Sequence, residues 1–339
     1  LFRVVPSDPP YTVSRYPLRQ ELERPVRIVD KGDGHYFIDF GRAAYGTLVF
    51  RNANYPKDKT IEVHLGEKAT ADDTVDREPG GTVRYRKMSL TTDGSEEQAV
   101  VIPPDARNTG PAAIKMPDYT GEVLPFRYAE LYNVPGELAH NNVYRRSVYY
   151  RFEEDESDFR TADQRLKEVW DICKYSMKAT SFCGVYVDGD RERIPYEADA
   201  YINQLGHYAV AREYTLARYS HEYLLRHPTW PTEWQPHSVL MAWADYMATG
   251  DTDSMSAFYD DLKAKTLYRL AREDGLISTQ TGLYTPEVAK SLHLTPPIRD
   301  IVDWPAGERD GYEMVKVNTV VNAFHYRAIV IMKHIAAAL

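Results

Sequence analysis

Residues 143–177 read VYRRSVYYRFEEDESDFRTADQRLKEVWDICKYSM, and the hydrophobic period changes inside that stretch. Val143–Phe152 is a valine- and aromatic-rich run of the kind that forms a strand. Beyond Phe159, the residues Leu166, Val169, Trp170, Cys173 and Met177 recur at i, i+3, i+4, i+7 and i+11, which is one face of a helix. Thr161 or Asp163 is available as its N-cap. The chain is therefore expected to pass from β to α structure here.

Upstream the reading is β. His35–Phe40 is followed by a break at Gly41 and then by Gly46–Arg51, and Thr60–Leu65 alternates polar with apolar residues. Thr82–Leu90, Gln98–Ile102 and Val123–Tyr132 are further candidate strands, separated by clusters rich in Pro, Gly, Asn and Asp. Short strands without intervening helices imply an antiparallel β-sandwich over residues 30–152, with 1–29 as a leading segment or the end of a preceding domain. Downstream, helical patterns cover Glu197–Arg212, Glu213–Arg226, Pro236–Thr249, Asp253–Ala271 and Val315–Leu339. Repeated helices after a sandwich imply an α/α toroid over residues 153–339. A closed toroid needs about twice as many helices, and the last one ends on Ala336-Ala337-Ala338-Leu339 without a Gly or Pro stop, so the toroid is expected to be truncated.

Composition narrows the partners. A formal net charge of −9 argues against a nucleic-acid partner, because phosphate binding needs clustered Lys and Arg. No apolar run approaches about 18 residues, so no membrane insertion is expected. The 26 Tyr, 10 Phe and 5 Trp supply flat faces that can stack on sugars, although Tyr-rich sandwiches are also simply stable. Cys173 and Cys183 lack metal-site spacing and are expected to be buried small apolar residues; no metal or cofactor is expected. The chain opens on Leu1 with no signal-peptide pattern, which leaves the compartment open, a periplasmic or secreted placement being favoured over a cytoplasmic one.

The densest polar segment is Asp188-Gly189-Asp190-Arg191-Glu192-Arg193-Ile194-Pro195-Tyr196-Glu197-Ala198-Asp199-Ala200, lying between the first two helices. Interleaved carboxylates and guanidiniums suit a sugar pocket, since Asp accepts hydrogen bonds from hydroxyls and Arg donates them. If Arg191-Glu192-Arg193 is extended, both Arg side chains lie opposite Glu192. Glu192 then enters an apolar pocket and keeps the raised pKa that a general acid requires. The plainer reading is a solvated loop of salt bridges.

The segment resembles the signature of glycoside hydrolase family 78, the α-L-rhamnosidases, written D-C-P-x-R-E-R-x-G-W-x-G-D-A. Arg191-Glu192-Arg193 and Asp199-Ala200 fall in register with R-E-R and D-A, and Asp188 matches the leading Asp if the loop is one residue shorter. Gly189-Asp190 stands in place of Cys-Pro, Tyr196 in place of Trp, and Ala198 in place of the second Gly. Tyr36–Gly41, Val63–Glu67 and Phe126–Leu131 are similar to the sandwich ahead of the family's toroid. Glu233-Trp234, Tyr246–Asp251, Asp303-Trp304-Pro305 and Asn318–His334 resemble segments within the toroid. The resemblance thus spans roughly residues 30–339.

It implies an inverting hydrolysis of a rhamnosyl oligo- or polysaccharide, with Glu192 as general acid. Asp188, Arg191, Tyr196, Asp199, Trp234, Asp303 and Trp304 would bind the sugar. The family's base is a Glu far downstream in the toroid, expected beyond Leu339 in the remainder of the catalytic domain, and Glu197, Glu233 and Glu308 do not match it. His207 and His237 read as structural. Two rivals stay open: another α/α-toroid carbohydrate enzyme, such as a uronyl hydrolase or polysaccharide lyase, in which Arg191 or Arg193 with Tyr196 and His207 would serve; and a sugar-binding remnant without a base.

Overall fold

The computed structural model describes residues 11–295 and 297–339. Eight antiparallel strands come first: β1 (Arg19–Glu23), β2 (Arg27–Asp30), β3 (Tyr36–Arg51), β4 (Thr60–Gly66), β5 (Tyr85–Thr91), β6 (Glu97–Ala99), β7 (Leu124–Tyr132) and β8 (Val143–Tyr149). Their order is β1-β8-β3-β7-β4-β5, with β2 and β6 also pairing with β3. The sheet therefore begins before residue 30: β1 and all but the last residue of β2 fall in the stretch expected as a leading segment, whose first ten residues are outside the described ones.

The long β3 organises the sandwich. Its first part lies between β2 and β7, its second between β6 and β8. Gly41 was expected to break the strand, but it makes a bulge instead: the register slips between Asp39 and Ala44. Gly41 adopts φ +80°, and its N–H donates to Asp39 Oδ1 at 2.6 Å. Gly46 lets β8 come close, because a Cβ there would sit 2.2 Å from the Arg146 carbonyl oxygen. The fold's first core is inside this sandwich, around Ile38, Leu48, Ile61, Phe126 and Leu131.

Helices follow: α1 (Gln164–Ala179), α2 (Glu197–Val210), α3 (Thr215–Arg226), α4 (His237–Thr249), α5 (Asp253–Ala257), α6 (Tyr259–Lys265), α7 (Pro286–Ser291) and α8 (Thr319–Ala338). Asp163 caps α1, accepting from the Arg165 N–H, and Asn318 caps α8 through the N–H groups of Val320 and Val321. The helix expected over 253–271 is divided at Phe258, whose φ −111° and ψ 22° leave the helical well. The short α7 was not expected. Six residues are too few for a period to register, although Thr285 before Pro286 is a start signal.

Packing runs α1 on α2, α2 on α3 and α4, α3 on α4, and α4 on α5, α6 and α8, whereas α1 does not pack on α8. The helices form an arc, with α2, α4 and α8 side by side on one layer. Leu166, Val169 and Ile172 of α1 and Tyr326 and Ile329 of α8 stay exposed at its two ends. The sequence segment Tyr246–Asp251 closes α4: Gly250 is left-handed, and Asp251 and Asp245 both hold Arg218 of α3. No helix is long and apolar enough to cross a membrane among the described residues. Cys183 is buried as expected, whereas Cys173 is exposed on α1.

Sandwich and arc share a second core. Leu18, Val123, Val148 and Tyr150 meet Phe182, Tyr186, Ala200, Leu216 and Met241. Each large apolar side chain buried this way contributes roughly 1.5–3 kcal/mol. The loop that carries Glu192 lies on this seam.

Candidate active site

The loop between α1 and α2 is held from the sandwich side. Buried Asp190 makes salt bridges to Arg84 at 2.7 Å and to Arg193 at 2.8 Å, and accepts a hydrogen bond from Asn108 at 2.9 Å. Arg193 reaches on to Glu122 at 2.6 Å, and the Ile114 N–H donates to its carbonyl at 2.9 Å. Arg193 has φ +53°, so residues 191–193 turn rather than run extended. The expected alternation is thereby lost. Arg193 points into the seam, while Arg191 stays beside Glu192, donating to Asp188 at 2.9 Å and to Glu192 itself at 3.1 Å.

Glu192 is not in an apolar pocket. Its side chain is 31% exposed, and the Tyr196 hydroxyl donates to Oε1 at 2.7 Å. Burial pulls its pKa up, but the hydrogen bonds from Tyr196 and Asp188 and the Arg191 charge hold it below the usual carboxylate range. Asp188 goes the other way. Burial first, then its hydrogen bond to Glu192 and that residue's negative charge, push it up to about 6 against the pull of Arg191. The expected raised carboxyl is thus Asp188 rather than Glu192, and the pair divides one proton.

Tyr196 ends the loop as the residue before α2, and Asp199 follows in the first turn of that helix, its pKa raised by burial. The Tyr196 ring stands edge-on to Trp234, centroids 5.4 Å apart. Trp234 belongs to the turn entering α4, and this turn is tied to the segment ahead of α8. Pro231 bridges Arg299, and the buried Glu233 carboxylate accepts from the backbone N–H groups of Ile301 and Val302. That tie brings Asp303 and Trp304 to the same place, Trp304 with 62% of its surface exposed.

Asp188, Arg191, Glu192, Tyr196, Asp199, Trp234, Asp303 and Trp304 all line one open cavity of about 750 Å³. Trp230, Glu233, His237, Arg299, Val302 and Phe324 of α8 line it too, and sequence reasoning had not assigned them there. Trp230 precedes Pro231 as Trp304 precedes Pro305, a parallel that could have found it. His237 is neutral: burial lowers its pKa to about 4, and Nδ1 faces the Glu233 carbonyl at 2.9 Å. His207 lies elsewhere, bonded to Tyr186 at 2.6 Å. Of the three carboxylates weighed as a base, Glu197 is buried against Thr229, Glu233 is taken up by backbone N–H groups, and Glu308 is outside the cavity.

Glu233 therefore works as a clamp between two loops. Glu233→Ala leaves the Ile301 and Val302 N–H groups without their acceptor and frees residues 299–304. An expected cost of roughly 1–3 kcal/mol follows from orphaned buried donors. Denaturant unfolding of the variant checks it, with faster amide exchange at 301–302 as the local signature.

The fold is shared with solved structures. An α-L-rhamnosidase from Dictyoglumus thermophilum superposes with a TM-score of 0.65 at 14% identity, over 95% of this chain and 34% of its own. A rhamnosidase from Klebsiella oxytoca with rhamnose bound gives 0.61 at 11%, over 95% and 66%. An α-L-rhamnosidase from Aspergillus terreus gives 0.66 at 17%, over 95% and 36%. The chain thus spans about a third of the length of the first and third of these proteins, and at such identities the likeness establishes the fold. No curated protein sequence matches significantly. Residues 154–339, more than half of the chain, match the family described as the bacterial α-L-rhamnosidase six-hairpin glycosidase domain, and the chain belongs to that family.

Proposed function

We propose that the protein is a glycoside hydrolase, an α-L-rhamnosidase that cleaves rhamnosyl oligo- or polysaccharides of plant or microbial origin with inversion. Glu192 is the general acid, and Asp188, Arg191, Tyr196, Asp199, Trp234, Asp303 and Trp304 hold the sugar. The observation that carries this reading is convergence. Residues from the 188–199 segment, the turn before α4 and the segment before α8 are far apart in sequence yet line one cavity. Unrelated structural roles would scatter them.

The chemistry follows from the residue types. Asp carboxylates accept from sugar hydroxyls, Arg191 donates, and the indole faces of Trp234 and Trp304 cover the apolar side of a pyranose. Glu192 gives its proton to the glycosidic oxygen, and a carboxylate across the ring, ~6.5–9.5 Å away, activates water. Tyr196 and Arg191 stabilise the carboxylate that Glu192 leaves behind.

The paired carboxyls set the pH dependence. Their shared proton is present below about pH 6 and is lost as pH rises through that value, so kcat/KM is expected to fall on the alkaline side with a limb near 6. A pH–rate profile that stays flat to pH 8 would remove the pair from the proton transfer. The wider test is a panel of nitrophenyl glycosides with the full-length protein. α-L-Rhamnoside is expected to be cleaved best, with β-L-rhamnose released first in the NMR spectrum. An unsaturated, ultraviolet-absorbing product would instead identify a lyase.

A further inference from the structure

Arg299 is a cation of the cavity to which the rhamnosidase reading gives no task. The other, Arg191, is already engaged by Asp188 and Glu192. The Arg299 backbone is fixed: its N–H donates to the Trp230 carbonyl at 3.2 Å, and its own carbonyl accepts from Thr232 at 2.9 Å. Its guanidinium carbon lies 4.2 Å from the centroid of the Trp230 ring. Among the described residues, that guanidinium makes no salt bridge and no hydrogen bond. The neighbouring carboxylate of Glu233 is taken up by backbone N–H groups, and Asp303 Oδ1 accepts the Trp304 N–H at 2.7 Å.

A guanidinium stacked on an indole uses its flat face and keeps its edge N–H donors for something else. Two parallel donors on a planar edge match the two oxygens of a carboxylate. The cavity has room for more than one sugar ring, and Arg299 comes from a different segment than the Asp188–Asp199 wall. We propose that Arg299, held on Trp230, binds the carboxylate of a uronic acid next to the cleaved rhamnose. The natural substrate is then a rhamnosyl uronate, and Arg299 sets that specificity. This rests on the hydrolase reading and names its substrate class.

The test pairs a rhamnosyl-uronic acid disaccharide with its carboxyl-reduced counterpart, both given to the full-length protein. Wild-type kcat/KM is expected to favour the acid about ten- to a hundredfold, as a charge-assisted hydrogen-bonded pair supplies. Arg299→Gln is expected to bring that ratio close to one. Arg299→Lys keeps part of it, since the charge stays while the fork and the stack are lost. The methyl ester of the acid makes the same comparison on the wild type alone, without any substitution, and should behave like the reduced sugar. A wild-type ratio near one, or a preference untouched in Arg299→Gln, overturns the inference and leaves the hydrolase reading standing. Cleavage of neither disaccharide overturns both.

Discussion

Glu192→Gln is expected to slow hydrolysis of a natural rhamnoside by about a hundred to ten thousand fold, roughly 3–5 kcal/mol of barrier. The substitution keeps the side chain's shape and an oxygen for the Tyr196 hydroxyl and Arg191, both of which reach Oε1 in the structure. What it removes is the transferable proton. The loss should therefore depend on the leaving group. A sugar departs as a poor alkoxide and needs that proton, whereas a nitrophenolate departs almost unaided. The nitrophenyl rhamnoside should lose far less. Asp188→Asn should weaken both substrates similarly, because it holds sugar hydroxyls, and should also move the alkaline limb to lower pH, because it removes the partner charge beside Glu192. Steady-state kinetics on the two substrates decide it, and a near wild-type rate of Glu192→Gln on the natural glycan removes Glu192 as the acid.

The switch of period around residue 155 was legible because burial on one face leaves a periodic trace. Ile61, Val63 and Leu65 alternate into the sandwich core, and the strand and helix that flank the switch appear where the pattern puts them. Single glycines were harder. Gly41 reads as a break in a sequence, but whether a glycine ends a strand or bulges it depends on partners on both sides, here β2 and β7. Likewise β1 is too short and polar to announce itself; it becomes a strand because β8 offers an open edge.

The cavity was legible from motif register and from the resemblance of the Glu233-Trp234 and Asp303-Trp304 segments, not from chemistry alone. Arg299 carries no local pattern, and its place follows from the bridge to Pro231. The charge states were also out of reach. Glu192 looked like the carboxyl to be raised, but the turn at Arg193 returns Arg191 to its side and leaves Asp188 more buried. Backbone handedness at one residue thus decided which member of the proton-sharing pair is raised and which is lowered.

The same loop is expected to be the most costly place to cut the polar seam. Gly189-Asp190 stands in place of the Cys-Pro pair of the signature, and Asp190 bridges Arg84 of the sandwich to Arg193 of the loop. Both guanidiniums are buried, so Asp190→Ala takes one carboxylate from each of two charges that cannot reach water. Unpairing a buried ion pair costs about 3–5 kcal/mol. The low end applies here, since Asp105 still faces Arg84 and Glu122 still faces Arg193. Denaturant unfolding should register that loss, while removing the exposed Arg160–Asp158 pair should leave the midpoint where it is. Activity should fall as well. Gly189 and Arg191 flank Asp190, and a shift of the loop by about 1 Å is enough to cost a hundredfold in rate. Asp190→Asn separates the two effects in part: it keeps Oδ1 for Asn108 and Arg193, but it loses the charge and turns an amide N–H toward Arg84 in place of an acceptor. If Asp190→Ala unfolds at the wild-type denaturant concentration and keeps full kcat/KM, Asp190 does not position Glu192, and the loop must be held by what else Arg193 touches, the Glu122 carboxylate, the Val123 carbonyl and the Phe182 ring.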